Sequence, residues 1–311
     1  MSLDLTSYSP CELCPRRCKA HRNAGDLGVC RSGNQVRIAR AALHYWEEPP
    51  ISGDVGSGAI FFSGCPLRCV FCQNHEISHE GTGTVVSVSR LARIMLELQE
   101  QGAANVNLVT PMHFAPHVFN AIKLAKDHGL RIPTVCNTSG YERASVIRAM
   151  SEVIDIWLTD FKYATDDLAR RISGAPEYPM FARSALASMV SEVGDRGGRV
   201  ESQDGLMQRG IIVRNLVLPG FVEESFRVLD EVWQLCADTV DVSVMSQYTP
   251  NERCLAKGGP LARTLSPEEY DLVVCHADDL GFSHIWWQDG DTADESFIPP
   301  FDETGVAGPE L

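Results

Sequence analysis

Residues 59–74 read AIFFSGCPLRCVFCQN, an apolar run followed at once by three cysteines in the spacing C-x3-C-x2-C. The run from Ala59 to Phe62 is typical of a buried strand, so the cysteines fall on the loop that follows it. Loops at the carboxyl ends of parallel strands bind ligands in α/β folds, which favours a functional site at this position. We expect three thiols this close together either to be oxidised together or to share a metal.

Two kinds of metal centre fit Cys65, Cys69 and Cys72. A structural zinc site needs four ligands, and the nearest candidates for the fourth are His75 and His79. A [4Fe-4S] cluster held through three of its irons would leave the fourth iron open to a substrate or cofactor. Three cysteine ligands, and not four, are what such an open iron requires. We therefore favour the iron–sulfur interpretation.

The chain after Ile60 alternates between short apolar runs and amphipathic helical stretches. Strands are predicted at residues 59–62, 106–109, 132–136, 154–158, 211–218 and 240–245. A helix is predicted from Val88 to Gln101, and a capping box at Ser266 begins a late helix. The alternation predicts parallel strands covered on both faces, hence an α/β fold that is barrel-like or doubly wound. No G-x-G-x-x-G follows the first strand, which disfavours the dinucleotide-binding version.

The cysteine spacing after a first strand resembles the motif of the radical S-adenosylmethionine (SAM) superfamily. Three further segments resemble its pyruvate formate-lyase activating enzymes: Gln73-Asn74, Asp160-Phe161-Lys162, and Arg214 with the LVLPG of residues 216–220. The phrases NTSGYE, DFKY and MSQYTP resemble the pyruvate formate-lyase activating enzyme-like group. The resemblance covers residues 55–290. It implies an α/β fold, a partial (β/α)6 TIM-like barrel.

The resemblance also implies a reaction and a set of site residues. Cys65, Cys69 and Cys72 would hold a [4Fe-4S] cluster whose open iron binds SAM. Reductive cleavage of SAM would give a 5′-deoxyadenosyl radical that abstracts hydrogen, as in a radical SAM oxidoreductase. The residues expected to bind SAM are Phe71, Gln73, Asn74, Thr110, Asp160, Lys162, Arg214 and Gln247. Alternatively, the charged members of this set form salt bridges only.

One segment departs from the activating-enzyme pattern. Those enzymes commonly carry G-G-E after the second strand to bind the amino group of SAM, and residues 109–114 read VTPMHF instead. Thr110 offers a hydroxyl and His113 a ring nitrogen, but neither replaces the carboxylate. His113 is alternatively a hydrogen-bonded, partly buried imidazole.

A second cysteine group precedes the barrel. Cys11, Cys14, Cys18 and Cys30 are spaced C-x2-C-x3-C-x11-C, and four thiolates suit either a closed zinc site or a second iron–sulfur cluster. We therefore predict a cysteine-rich metal-binding extension at residues 1–52, with a linker at 47–53.

The radical SAM barrel is predicted at residues 53–290 and an acidic C-terminal tail at 291–311. From Ile285 onward the chain holds seven acidic residues and no basic one. We expect this end to be a solvated tail.

Charge and hydropathy argue against several classes of partner. With 27 Lys and Arg against 41 Asp and Glu, the net charge of −14 argues against binding to nucleic acid or to an anionic membrane. No apolar run is long enough for a membrane span, and the first residues lack a signal-peptide pattern, so we expect a cytoplasmic protein. The resemblance to radical SAM enzymes implies a flavodoxin- or ferredoxin-type electron donor as partner.

Three functions remain open from the sequence. In the first, the enzyme abstracts hydrogen from a glycine of a partner glycyl radical enzyme. In the second, the same chemistry acts on a small molecule or another peptide. In the third, the chain is a non-catalytic zinc or iron–sulfur scaffold or an electron carrier.

Overall fold

The computed structural model describes residues 3–288 and 298–311, which form helices around one largely parallel β-sheet. The strands are β1 (Val36–His44), β2 (Ser57–Phe62), β3 (Thr84–Val86), β4 (Val106–Val109), β5 (Thr134–Thr138), β6 (Ile156–Asp160), β7 (Val200–Glu201), β8 (Met207–Leu216), β9 (Asp241–Met245) and β10 (Ile285–Trp287). The α-helices are α1 (Pro49–Ser52), α2 (Val88–Glu100), α3 (Ala115–Asp127), α4 (Ala144–Met150), α5 (Asp166–Ser173), α6 (Tyr178–Asp195), α7 (Val222–Cys236), α8 (Glu252–Lys257) and α9 (Pro267–Leu280).

The sheet is an open, partial barrel. Its parallel part runs in the order β2-β4-β5-β6-β8-β9-β10, while β1 pairs antiparallel with both β2 and β3. The described sheet therefore ends at β3 on one side and at β10 on the other. Because the parallel strands all point the same way, their carboxyl ends gather at one face of the barrel.

The structure confirms the predicted fold class and its strand series. The six predicted strands correspond to β2, β4, β5, β6, β8 and β9, and β10 adds a further parallel strand. The strand predicted at 132–136 lies two residues later, because Asn137 and Thr138 are polar yet buried in the barrel. The helix α2 begins at the N-cap Ser87, and the capping box at Ser266 begins α9.

The linker expected at residues 47–53 is wrong. Pro49 starts the short helix α1, where proline is compatible with the first helical position, and Ile51 is fully buried. The strand β1 comes before this segment and hydrogen-bonds to β2 after it. The boundary at residue 52 stays a prediction about domain organisation, but the sheet itself is continuous across it.

The end of the chain is hydrogen-bonded to the barrel, as far as residues 298–311 show, although most of these residues are exposed. The backbone of Ala41 donates to Thr304 at 2.8 Å, and Glu303 donates to Ala39 at 2.9 Å, which extends the edge of β1. Val306 is 1% exposed. Its contacts are made mainly by backbone groups, so this acidic and exposed segment is still held against β1. The rest of the expected tail, residues 291–297, lies outside the described residues.

Arg90 joins α2 to this C-terminal segment. Its guanidinium donates to the backbone oxygens of Val306 and Pro309 at 2.9 and 3.0 Å. It also pairs with the carboxylate of Glu97 at 2.8 and 2.9 Å, and its side chain is only 5% exposed. The charge is thus buried but fully paired.

We predict that Arg90→Ala lowers the free energy of unfolding by about 3 kcal/mol, because Glu97 and several carbonyls lose their buried donor. Urea denaturation measures this. Arg93→Ala is the matched control, since Arg93 also pairs with Glu97 but its side chain is 30% exposed, and it should cost no more than about 0.5 kcal/mol. Equal effects of the two substitutions would show that Arg90 does not stabilise the contact between α2 and the C-terminal segment.

Glu142 carries a buried carboxyl group after β5. One oxygen accepts a hydrogen bond from Thr138 at 2.7 Å, and the other has no partner among the described residues. Burial raises the pKa of Glu142 to about 8. The folded chain therefore keeps this proton over a pH range in which the unfolded chain has already released it.

We predict that the stability of the wild type falls, relative to Glu142→Gln, as the pH rises from about 4.5 to about 8. In that window the folded state binds more protons than the unfolded state. Each pH unit therefore lowers the free energy of unfolding by up to roughly 1.4 kcal/mol. Denaturant titrations at several pH values give the difference. Glu152→Gln, at an exposed site, is the control, and its stability relative to the wild type should not change with pH in this way. If the stability difference between the wild type and Glu142→Gln is independent of pH, the pKa of Glu142 is not raised.

No helix in the described part of the chain has the length and apolar character needed to cross a membrane.

Candidate active site

A pocket of about 320 Å³ opens at the carboxyl ends of the parallel strands. Every residue expected from the resemblance to bind SAM lines it, together with the three cysteines of the first motif. These residues are Cys65, Cys69, Cys72, Phe71, Gln73, Asn74, Thr110, Asp160, Lys162, Arg214 and Gln247. The parallel fold thus brings together groups that are far apart in sequence, although their roles toward a cofactor stay predictions.

The loop with Cys65, Cys69 and Cys72 directly follows β2. The backbone N–H of Leu67 lies 3.4 Å from the sulfur of Cys65, and the hydroxyl of Ser173 donates to Cys69 at 2.9 Å. Donors aimed at sulfur stabilise a thiolate, which is the form that binds iron. The donor set therefore fits a cluster bound through three cysteines.

Cys69 is buried in this loop, and Cys65 and Cys72 are partly buried. Burial raises the pKa of the Cys69 thiol to about 11 and moves the pKa values of Cys65 and Cys72 upward as well. Three thiolates here need a compensating positive centre, which iron would supply. Within residues 3–288 and 298–311, there is no group of three or more His, Cys, Asp or Glu side chains already arranged to hold a metal ion. The assignment of these cysteines therefore rests on their chemistry and position.

A buried ion network lies beside the cysteines. Lys162 contacts Asp160 at 2.6 Å, and the Nε of Arg214 donates to the other oxygen of Asp160 at 3.0 Å. Burial alone would raise the pKa of Asp160, but Lys162 and Arg214 outweigh it and hold that pKa below its usual value. Burial likewise opposes the charge of Lys162, yet Asp160 and Cys69 raise its pKa. All three groups therefore stay charged.

Glu47 and Glu48 are pocket residues that the sequence analysis missed. The carboxylate of Glu47 accepts from Asn107 at 2.9 Å and lies 3.4 Å from Arg214. One oxygen of Glu48 is buried without a hydrogen-bond partner among the described residues. Burial raises the pKa values of both carboxyl groups. Two acidic residues before two prolines were interpreted as a linker, and only the pairing of β1 with β2 brings them into the barrel.

Phe71 and Gln73 are held by residues after β9. The ring of Phe71 packs against Tyr248 with 6.0 Å between centroids, and Phe71 is 7% exposed. The side chain of Gln73 donates to the backbone oxygen of Gln247 at 2.7 Å. These contacts close the pocket between the cysteine loop and the end of β9.

Thr110 and His113 differ in their relation to the pocket. Thr110 lines it and adopts φ 60°, a left-handed conformation that is strained for a β-branched residue. His113 is 2% exposed, does not line the pocket, and hydrogen-bonds through Nε2 to the backbone oxygen of Ser63 at 2.9 Å. The interpretation of His113 as a hydrogen-bonded imidazole therefore fits, and the missing G-G-E carboxylate is not restored by it.

The four N-terminal cysteines form a second group beside the barrel. A Cβ atom added at Gly28 would lie 3.1 Å from the sulfur of Cys30 and 3.5 Å from that of Cys18. Burial above all, with Cys30 and Cys11 nearby, raises the pKa of the Cys14 thiol to about 12. Two of the four sulfur atoms thus lie against Gly28, where a larger side chain would crowd that of Cys30.

The two cysteine groups meet at Gly64, the residue before Cys65. A Cβ atom at Gly64 would lie 2.7 Å from the backbone oxygen of Cys30, and Gly64 adopts φ 88°. The buried guanidinium of Arg22 fixes the N-terminal segment in place by donating to the backbone oxygen of His113 at 2.7 Å. The N-terminal extension is therefore built against the loop of the first motif.

Aromatic side chains line the mouth of the pocket. Trp46 is 59% exposed and Trp287 is 55% exposed, and both belong to the pocket lining with Trp286. Exposed aromatic groups at the rim of a pocket are typical of a surface that receives a partner or substrate.

The sequence and fold are similar to those of known proteins. An uncharacterized protein of Methanocaldococcus jannaschii is 27% identical over 276 residues, which cover 86% of this chain and 74% of that protein. The crystal structure of a radical SAM methyltransferase from Sphaerobacter thermophilus matches with a TM-score of 0.51 at 12% identity, over 75% of this chain and 67% of that chain.

Another similar structure is Streptococcus suis SuiB bound to the precursor peptide SuiA, with a TM-score of 0.52 and 12% identity. The alignment covers 73% of this chain and only 47% of the SuiB chain. At this identity both crystal structures establish likeness of fold alone. The sequence model of the radical SAM superfamily matches residues 59–185, from β2 into α6, and includes the cysteine loop. The part of the chain from β2 into α6, with the cysteine loop at the carboxyl face of the partial barrel, is thus similar to the radical SAM superfamily.

Proposed function

We propose that this protein reductively cleaves SAM and uses the resulting radical to abstract hydrogen from a glycyl residue of a partner protein. The observation that carries the proposal is the joint placement of three cysteines and the Asp160 ion network in one pocket. A [4Fe-4S] cluster bound by Cys65, Cys69 and Cys72 would supply the electron that breaks the carbon–sulfur bond of SAM.

The chain would bind and orient SAM with charged groups of both signs. Lys162 and Arg214 are cations suited to the methionine carboxylate, and Asp160 holds both of them in position. Glu47 and Glu48 bring carboxylates to a pocket that lacks the usual G-G-E. Phe71 offers an apolar ring, suited to adenine, and helps to exclude water.

The substrate side of the pocket supports a peptide or protein substrate. The exposed Trp46 and Trp287 provide a broad apolar rim, and the similar SuiB structure holds a precursor peptide. A glycyl radical enzyme is our first candidate partner, by the resemblance of the D-F-K and R-N-L-V-L-P-G segments to activating enzymes.

A second candidate keeps the chemistry but changes the substrate. The unpartnered oxygen of Glu48 favours a substrate group that donates a hydrogen bond or carries positive charge. A glycyl residue could make this contact only through its peptide N–H, whereas a small molecule or another residue could also offer a cationic group.

We further propose that Cys11, Cys14, Cys18 and Cys30 bind a second metal centre, either zinc or an iron–sulfur cluster. The sulfur atoms of Cys18 and Cys30 lie against Gly28, and Cys11 and Cys30 lie near Cys14, which supports this proposal. None of the eleven cysteines of the chain forms a disulfide, which supports a location in a reducing compartment such as the cytoplasm.

We predict that Cys65→Ala abolishes formation of 5′-deoxyadenosine from SAM while leaving the fold intact. The protein would be reconstituted anaerobically with iron and sulfide, reduced with dithionite, and assayed for product. Cys275→Ala, at an exposed cysteine of α9, should retain the activity.

Iron and zinc counted per chain would identify the second metal, because one cluster accounts for about four irons and two clusters for about eight. Product formation by Cys65→Ala would disprove the cluster assignment. Zinc alone, with no product from the wild type, would favour the scaffold function.

We predict that Lys162→Ala weakens SAM binding by roughly tenfold or more with the iron content unchanged, since a buried cation is removed from the pocket. Equilibrium dialysis with the iron-loaded protein measures the affinity. Lys126→Ala, which removes a more exposed ion pair with Asp155, should bind SAM like the wild type. Unchanged affinity of Lys162→Ala would remove Lys162 from the binding site.

A further inference from the structure

A second cavity, of about 420 Å³, lies on the outer side of the cysteine loop. Its floor includes Val70, Phe221 and Leu261, and its rim carries Arg171, Arg253 and Lys257. No carboxylate belongs to its described lining. It is thus an apolar depression with a positive rim, separate from the pocket that would hold SAM.

The floor of this cavity is the back of the loop that carries the cysteines. Val70 lies between Cys69 and Cys72, and its backbone N–H donates to Ile172 at the end of α5 at 2.9 Å. The side chain of Asn251, the N-cap of α8, donates to the backbone oxygen of Val70 at 2.9 Å. The cavity thus lies against the segment between Cys69 and Cys72.

The rim cations are available to an outside partner. Arg171, Arg253 and Lys257 are exposed, and none of them forms an ion pair within the residues that the structure describes. The chain as a whole carries a net charge of −14. An acidic protein would therefore be repelled by most of this surface and attracted at this rim.

We propose that this cavity is the docking site of an acidic one-electron carrier protein, with flavodoxin as the form that we would test. The inference rests on the proposed function, because reductive cleavage of SAM requires one electron from outside the chain. The reduced carrier would lose one electron, and a cluster held by Cys65, Cys69 and Cys72 would gain it, with no bond made or broken. Docking over Val70 gives the electron a short path through the loop.

The test reverses two rim charges in the iron-loaded protein, as Arg253→Glu with Lys257→Glu. Binding of fluorescently labelled flavodoxin to wild type and variant would be measured by anisotropy at low and moderate salt. We expect the variant to lose about tenfold or more in affinity, and the wild type to bind more weakly as salt rises. Arg131→Glu, an exposed cation before β5 at the opposite end of the barrel, is the matched control and should bind normally.

A parallel readout separates this inference from the proposed function. Formation of 5′-deoxyadenosine driven by reduced flavodoxin should fall by a similar factor in the double variant, while the reaction driven by dithionite should not change. Normal dithionite activity also shows that the variant is folded. Equal flavodoxin binding by variant and wild type, or no binding by the wild type, would overturn the docking site. If dithionite drives no cleavage in the wild type, the proposed function fails, and the binding data still decide whether the surface exists.

Discussion

The ion pair between Asp160 and Arg214 forms because β6 and β8 are parallel neighbours in one register. The two residues are direct register partners at the carboxyl ends of these strands. A slip by one residue would turn the side chains of β8 to the other face of the sheet and leave buried charges without partners. Strand order and active-site chemistry are thus fixed by the same contact. The further pairing of Arg214 with Glu47 extends this constraint to the segment before β2.

Local signals in the sequence were sufficient for the series of parallel strands and for the cysteine loop, whereas the barrel form was implied by the family resemblance. The strands are short apolar runs, and the motif residues at their ends follow them directly, so the placement of Asp160 and Lys162 could be predicted from chain order. The fold then brings such strand ends to one face without further information. Phe71, Gln73 and Arg214 reached the pocket for the same reason.

Other parts of the site depend on contacts that leave no local pattern. Glu47 and Glu48 precede two prolines and look like a linker, and only long-range pairing of β1 places them in the barrel. The C-terminal segment is held mainly through its backbone groups. Such contacts cannot be recognised from the side-chain types of a sequence, so its acidic residues suggested a solvated tail. Asn137 and Thr138 are polar and were left outside β5, although the barrel buries them.

The edge of β1 is completed by a segment about 260 residues later in the chain, where Glu303 and Thr304 hydrogen-bond beyond the end of β3. A ribosome adds roughly 5–20 residues per second, so the nascent chain exposes this edge for on the order of ten seconds or more before its partner exists. Unpaired strand edges template pairing with other chains. Stalled or shortened translation products should therefore be the forms of this protein that aggregate, and chaperone occupancy during synthesis would be concentrated on β1.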